Sequence, residues 1–147
     1  MTSRQLALQI AQFALSKKAY DVVLLDLRSM GSIADFFVLC SADSDTQVKA
    51  IADSVREGTD TIGARLWHSE GFRALSWVLL DYVDVVVHVF HKEARSFYRI
   101  EKLWSEADRI PVEDTTHIPA KPAKVASKAT PARKGRAAAS RRSRSKE

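Results

Sequence analysis

The fold is constrained most by residues 77–90, WVLLDYVDVVVHVF, in which two apolar runs flank a short acidic link. The second run is rich in valine, which favours strands because its branched side chain packs well on a pleated surface. We therefore predict two strands, 76–81 and 84–90. Neighbouring side chains of a strand point to opposite faces, so Val85, Val87 and Val89 share one face of the second strand. Because this face is entirely apolar, we expect it to be buried, and we call it the valine face.

The opposite face of these strands has a mixed character, because it carries Trp77, Asp81, Asp84, His88 and Phe90. Aromatic anchors among scattered polar groups are typical of protein interfaces. The residues allow two interpretations. Trp77 and His88 belong either to a surface that binds another molecule, or to an ordinary core in which His88 is a hydrogen-bonded buried histidine.

Periodicity elsewhere in the chain predicts three helices and three further strands. The helices cover 3–17, a segment from a capping box at 44–47 to Gly63, and 93–104, and the further strands cover 21–27, 35–41 and 64–68. Four apolar residues of the third helix are expected to face the core: Phe97, Ile100, Leu103 and Trp104. The order α-β-β-α-β-β-β-α, with the first two strands paired antiparallel, indicates the α/β class. We predict a mixed, mainly five-stranded sheet with helices packed on it.

The positive charge of the chain is concentrated at one end. Residues 120–147 carry ten lysines and arginines and one acid, which leaves −4 for the rest of a chain whose net charge is +5. From residue 110 onward the composition is Pro, Ala, Lys, Arg and Ser without periodicity, so too little apolar surface is present to offset the entropy of ordering. We therefore predict a single domain over 1–109 and a disordered basic tail over 110–147.

The basic tail has two interpretations. Its cations could bind rRNA phosphates with strong salt dependence, or the tail could be a solvated linker without a fixed target. It contains no aromatic residue that could stack on bases. The residues predicted to contact rRNA are Arg133, Lys134, Arg136, Arg141, Arg142 and Arg144.

The cellular compartment is indicated by cysteine usage and hydropathy. The single cysteine, Cys40, excludes an intrachain disulfide and fits a reducing compartment. The apolar runs are too short and too often broken by charges to span a membrane. We therefore expect a cytoplasmic protein.

Catalysis and metal binding find little support among the residues. A Gly-Ser turn at 31–32 is similar to the start of a nucleotidyltransferase site, which needs two carboxylates spaced D-x-D to hold metal ions. Asp35 stands alone there. Asp43 and Asp45 have that spacing but lie at a predicted helix start, where acids favour the helix dipole. The four histidines lack the spacing of a zinc site, and we predict no enzyme, no cofactor and no metal.

Three motifs in combination resemble the ribosomal silencing factor family, also called Iojap-like. They are D-F-F-V-x-C-S at 35–41, S-D-x-Q-V-x-A-I-A-D at 44–53 and W-V-L-L-D-Y-x-D-V-V-V-H-V-F at 77–90. The resemblance covers residues 3–106, nearly the whole predicted domain. It implies a fold similar to nucleotidyltransferases but without their catalytic carboxylates.

The resemblance also implies a function. Members of the family are translational repressors that bind the large ribosomal subunit at its ribosomal protein numbered fourteen, on the face that meets the small subunit. Occupying that face would sterically block subunit joining and lower translation when nutrients are limiting. The family forms homodimers when free. Organellar relatives are instead associated with large-subunit assembly, so an assembly factor using the same surface remains an alternative.

The resemblance assigns the contact with the ribosomal protein to seven residues: Glu70, Gly71, Trp77, Asp81, Tyr82, Asp84 and His88. Trp77 would supply desolvated contact area, and the acids would supply charge complementarity to a basic partner. Val83 stands where the family usually has glycine, which permits a positive φ in a tight turn. A valine there predicts a different turn or a slightly longer strand.

Overall fold

The computed structural model describes residues 1–113. The six basic residues predicted to contact rRNA therefore lie outside the described residues. The helices are α1 (Ser3–Leu15), α2 (Asp45–Thr61), α3 (Lys92–Tyr98) and α4 (Ile100–Leu103), and the strands are β1 (Tyr20–Asp26), β2 (Phe36–Ala42), β3 (His68–Glu70), β4 (Trp77–Asp81), β5 (Val85–His91) and β6 (Asp108–Pro111). Within residues 1–113, no helix has the length and apolar character needed to cross a membrane.

The strands form one mixed sheet with the order β3-β4-β5-β2-β1-β6. β2 and β5 run parallel, and all other neighbours are antiparallel. The predicted α/β class and the antiparallel pairing of the first two strands are confirmed, but the sheet has six strands rather than five. The strand predicted over 64–68 lies instead at His68–Glu70, because those are the residues that pair with β4.

The sixth strand lies across the predicted domain boundary. β6 contains one aliphatic residue, Ile110, and ends in a proline, so its sequence has no strand periodicity. Proline is tolerated there because β6 is an edge strand. The Val112 N–H extends the pairing with β1 by donating to the Val22 carbonyl at 2.9 Å. The prediction of disorder from residue 110 is therefore wrong for the first residues of that segment.

α1 and α2 cover the face of the sheet that carries the valines. All three residues of the valine face are fully buried, as predicted. α2 begins at Ser44, whose hydroxyl accepts from the Gln47 amide at 3.1 Å. The Gln47 side chain reaches back past the capping serine, since its carbonyl oxygen accepts from the Asp43 amide at 2.8 Å. This capping fixes where the chain turns from the end of β2 into the helical layer.

The opposite face of the sheet is covered in part by α3 and α4. They were predicted as one helix, but Arg99 adopts a left-handed conformation with φ of 48° and separates them. Arg95 fastens α3 to the sheet and to α4, because its guanidinium donates to the Ser41 hydroxyl at 2.9 Å and to the Glu101 carboxylate at 2.7 Å. These charge-assisted bonds stabilise the break.

The break changes which side chains of this segment face the core. Ile100 is buried and Trp104 is half-buried, in agreement with the prediction. Phe97 and Leu103 are each 78% exposed, so their predicted inward orientation is wrong. A continuous helix would have placed all four on one side.

Candidate protein-binding face

Trp77 opens β4 on the sheet face that α3 and α4 cover only in part. Its ring stacks on Phe90 of β5 with a centroid separation of 5.0 Å and contacts Tyr98 of α3 at 4.9 Å. Its indole N–H donates to Nδ1 of His88 at 3.1 Å. The residue is only half-buried. These contacts therefore hold one part of the ring and leave another part accessible to a partner.

His88 lies directly behind Trp77 and is 2% exposed. Its ring meets the Phe37 ring edge-on at 4.6 Å, and burial lowers the pKa of its imidazole to about 4. The structure thus matches the interpretation of His88 as a hydrogen-bonded buried histidine. A direct contact between His88 and a partner would require this region to open.

Tyr82 lies on the other side of the sheet. It is 6% exposed and packs in the core beneath α2, where its hydroxyl hydrogen-bonds the Thr59 hydroxyl at 2.7 Å. Burial raises the pKa of the Tyr82 phenol. Tyr82 therefore anchors the link between β4 and β5 to α2, and it does not belong to the accessible surface predicted for it.

The three acids of the predicted site remain accessible. Glu70 and Asp84 are exposed, and Asp81 is half-buried at the end of β4. In the sheet register Asp81 lies opposite His68, and the His68 ring is 2.7 Å from the Glu70 carboxylate. Trp77 thus shares its strand with one acid and has a second on the neighbouring edge strand. Such an arrangement favours a basic partner.

Gly71 holds the chain between β3 and β4 against the start of β4. Its φ is 96°, and a Cβ at this position would lie 2.0 Å from the Trp77 carbonyl oxygen. Only glycine permits both this conformation and this approach. The predicted site residue Gly71 therefore sets the position of the Trp77 backbone.

Val83 forms the tip of the link between β4 and β5. Its φ is 75°, and its amide donates to the Asp81 carboxylate at 2.7 Å. The expectation of a different turn or a longer strand is wrong, since the valine adopts the left-handed conformation that glycine would supply. A β-branched residue at positive φ is a strained outlier.

Replacing Val83 by glycine is expected to stabilise the protein. Relief of backbone strain contributes about 1–3 kcal/mol, and the greater freedom of glycine in the unfolded chain opposes it by about 0.5–1 kcal/mol. We expect Val83→Gly to raise the free energy of unfolding by about 1 kcal/mol from these opposing terms, as measured by urea denaturation. Val83→Ala retains Cβ and should gain less, and a glycine variant less stable than the wild type would contradict the strain.

The accessible surface beside Trp77 extends onto α3, although Phe97 of this helix is predicted from the sequence to face the core. Tyr98 is 51% exposed while contacting the Trp77 ring, and Phe97 stands edge-on to Tyr98 at 5.0 Å. The signal was the pair of adjacent aromatics in the sequence, which cannot both face inward from one helix turn. Together with the accessible acids of β3 and β4 they form what we call the Trp77 face: Glu70, Trp77, Asp81, Phe97 and Tyr98. Asp84, although exposed, lies instead beside the first residues of α1 and Gly63 at the end of α2.

Cys40 and Asp43 carry groups that could take part in chemistry. Cys40 is fully buried, and burial raises the pKa of its thiol to about 12, so it is a poor nucleophile. Asp43 accepts a hydrogen bond from the Tyr20 hydroxyl at 2.8 Å. Among residues 1–113, no three histidine, cysteine or acidic side chains are placed so that they could hold a metal ion.

Comparison with known proteins shows that the chain is similar to one protein family. A family model described as "Ribosomal silencing factor during starvation" matches residues 1–142. The chain is 46% identical over 91 residues to ribosomal silencing factor RsfS of Bacillus subtilis, which covers 62% of this chain and 77% of that protein. It is 43% identical over 112 residues to RsfS of Halalkalibacterium halodurans, which covers 76% of this chain and 96% of that protein.

Solved structures agree with the fold described above. A crystal structure of a protein from Chromobacterium violaceum superposes with a TM-score of 0.70 at 33% identity and covers 71% of this chain and 88% of that one. A crystal structure from Bacillus halodurans superposes with a TM-score of 0.63 at 38% identity, over 74% and 96% of the two chains. With the family model spanning nearly all of its length, the chain belongs to the ribosomal silencing factor family.

Proposed function

We propose that this protein represses translation in the cytoplasm by binding the large ribosomal subunit through the Trp77 face. Its direct partner there would be the ribosomal protein numbered fourteen. The observation that carries the proposal is Trp77 itself, a half-buried tryptophan fixed by Phe90, Tyr98 and His88. Rigid aromatic anchors in such settings carry much of the energy of protein interfaces.

Silencing by this route needs no chemical step. A bound protein occupies the face of the large subunit that meets the small subunit, and joining is blocked by steric exclusion. The accessible acids Glu70 and Asp81 orient the domain toward a basic protein surface, which raises the association rate at low salt. The strength of repression then depends on affinity and on the free concentration of the protein.

Removing the Trp77 side chain tests the proposal. Trp77→Ala is expected to weaken binding to purified large subunits at least about 30-fold, because anchor residues contribute about 2 kcal/mol or more. Co-sedimentation with large subunits measures the change, and circular dichroism checks that the variant folds.

A matched control is available in Trp67, which is 70% exposed and precedes β3. Trp67→Ala removes an aromatic ring of equal size from outside the Trp77 face and is expected to leave binding within about twofold, since surface positions away from hot spots contribute little. Equal binding by Trp77→Ala and the wild type would contradict the proposed face.

The basic tail supplies a second, non-specific contact in this proposal. Truncation after residue 113 removes ten lysines and arginines beyond residue 119. We expect it to weaken large-subunit binding most at low salt and to flatten the salt dependence, because each phosphate contact contributes to the salt slope. Co-sedimentation across a range of salt concentrations measures this, and identical salt slopes with and without the tail would contradict rRNA contact.

The oligomeric state of the free protein and a role in large-subunit assembly can each be measured separately. The free protein is expected to be a homodimer, and light scattering during size-exclusion chromatography reports its mass. A role in large-subunit assembly would use the same face. That alternative is favoured if the protein binds large subunits but leaves subunit joining unaffected.

A further inference from the structure

The contacts that hold the Trp77 ring differ in what they can fix. Stacking on Phe90 and contact with Tyr98 keep the ring in its plane. Both contacts are non-directional, and rotation of the ring about its last torsion preserves much of the apolar contact. The hydrogen bond from the indole N–H to His88 is directional. It therefore selects which edge of the indole points outward.

The hydrogen bond also defines the state of His88. Indole N–H is only a donor, so Nδ1 of His88 must be the acceptor and the neutral ring must carry its proton on Nε2. Burial lowers the pKa of His88 to about 4, which keeps the ring neutral near pH 7. The contact with Phe37 holds the ring from the other side.

His88 occupies a position where an apolar residue would suit the fold. Its strand neighbours in register are Leu79 of β4 and Leu39 of β2. Its Nε2 is buried and has no hydrogen-bond partner among the described residues. A buried N–H without a partner costs stability. Core packing alone therefore does not account for a histidine here, whereas the acceptor that Nδ1 offers to Trp77 does.

We infer that His88 is a positioning residue that orients the Trp77 indole through its Nδ1 acceptor, so that one defined edge of Trp77 meets the partner. The inference rests on the proposed function, in which Trp77 contacts the ribosomal protein. It assigns His88 an indirect role: the imidazole stays buried and the partner touches only Trp77.

The first test uses the free protein. The long-range ¹H–¹⁵N correlation spectrum of the wild type reports the tautomer of His88, which is expected to carry its proton on Nε2. The indole N–H of Trp77, identified by its loss in Trp77→Phe, is expected to exchange with solvent more slowly than that of Trp67. His88→Leu should accelerate exchange at Trp77 and leave Trp104 unchanged, and His88→Asn, which offers an oxygen near the position of Nδ1, should restore part of the protection.

The second test measures large-subunit binding by co-sedimentation. His88→Leu is expected to bind roughly fivefold to tenfold more weakly, the effect of one lost hydrogen bond, with partial rescue in His88→Asn. Trp67→Ala, which alters an exposed side chain outside the Trp77 face, serves as the control. Binding by His88→Leu equal to that of the wild type, with the Trp77 indole freed, would overturn the positioning role.

The two tests separate this inference from the proposed function. If the wild type does not sediment with large subunits, the proposed function fails, and the indole exchange still decides whether His88 orients Trp77. An Nδ1-protonated tautomer in the wild type would overturn the inference without any variant, as would unchanged exchange of the Trp77 indole in folded His88→Leu.

Discussion

Gly71→Ala is expected to lower the free energy of unfolding by about 3 kcal/mol, combining backbone strain and overpacking. The alanine Cβ would lie 2.0 Å from the Trp77 carbonyl oxygen, and the φ of 96° is unfavourable for any residue with a Cβ. Neither obstacle can be relieved by rotating a side chain, because the clashing atom belongs to the backbone. The start of β4 must therefore move, and Trp77 moves with it. Urea denaturation measures the loss, and co-sedimentation measures the accompanying loss of large-subunit binding.

Gly63 provides the matched control for this substitution. Its φ is 80°, but a Cβ there meets nothing within 4 Å. Gly63→Ala therefore tests the positive φ without the clash and is expected to cost about 1 kcal/mol. Equal costs at the two glycines would mean that the close approach to Trp77 is unimportant.

Acidification from pH 7 to pH 5 is expected to destabilise the wild type by about 2 kcal/mol through His88 alone, from the difference in proton binding between the two states. Burial lowers the pKa of His88 from 6.5 to about 4, so the folded protein holds the ring neutral. The unfolded chain binds a proton below pH 6.5. The neutral His88 therefore costs almost no stability above pH 6.5, and the free energy of unfolding decreases as the pH falls from 6.5 toward 4.

The control for the pH effect is His88→Gln, which cannot titrate. Urea denaturation of this variant is expected to show a smaller change in stability between pH 7 and pH 5 than the wild type. The Asp26 carboxyl, whose pKa is lowered by Arg28, contributes at more acidic pH and lies outside this window. Identical pH dependence in the two proteins would contradict a buried neutral histidine.

The central strands could be predicted from sequence because burial determines their pattern. The three residues of the valine face alternate with other side chains, and only a strand with one face in the core suits that alternation. The capping serine at position 44 likewise predicted the start of α2. These features depend on neighbours within a few residues, which the sequence displays directly.

Other features depend on contacts between residues far apart in the chain. β6 exists because β1 offers an open edge, and no apolar pattern at 108–111 announces it. The break at Arg99 is stabilised by bonds from Arg95 to Ser41, which lies on a distant strand. The apolar periodicity of residues 93–104 favours one continuous helix, but the tertiary contacts of Arg95 stabilise the break.

The sequence predicts where the candidate site lies, but it does not predict which of its residues are accessible to a partner. Trp77 and the acids lie at the surface, but Tyr82 and His88 belong to opposite sides of the sheet interior. Alternation correctly placed His88 on the same face as Trp77. It could not indicate that the Trp77 and Phe37 rings would cover that position, leaving the tryptophan as the accessible residue.

The most direct measurement is the joining of purified small and large subunits, followed by sedimentation, in the presence of the wild type or Trp77→Ala. We expect that the wild type keeps the subunits apart and that Trp77→Ala, although folded, lets them join. Trp67→Ala should behave like the wild type. Subunits that join equally well with and without the wild-type protein, at concentrations where it is bound to large subunits, would contradict the silencing mechanism.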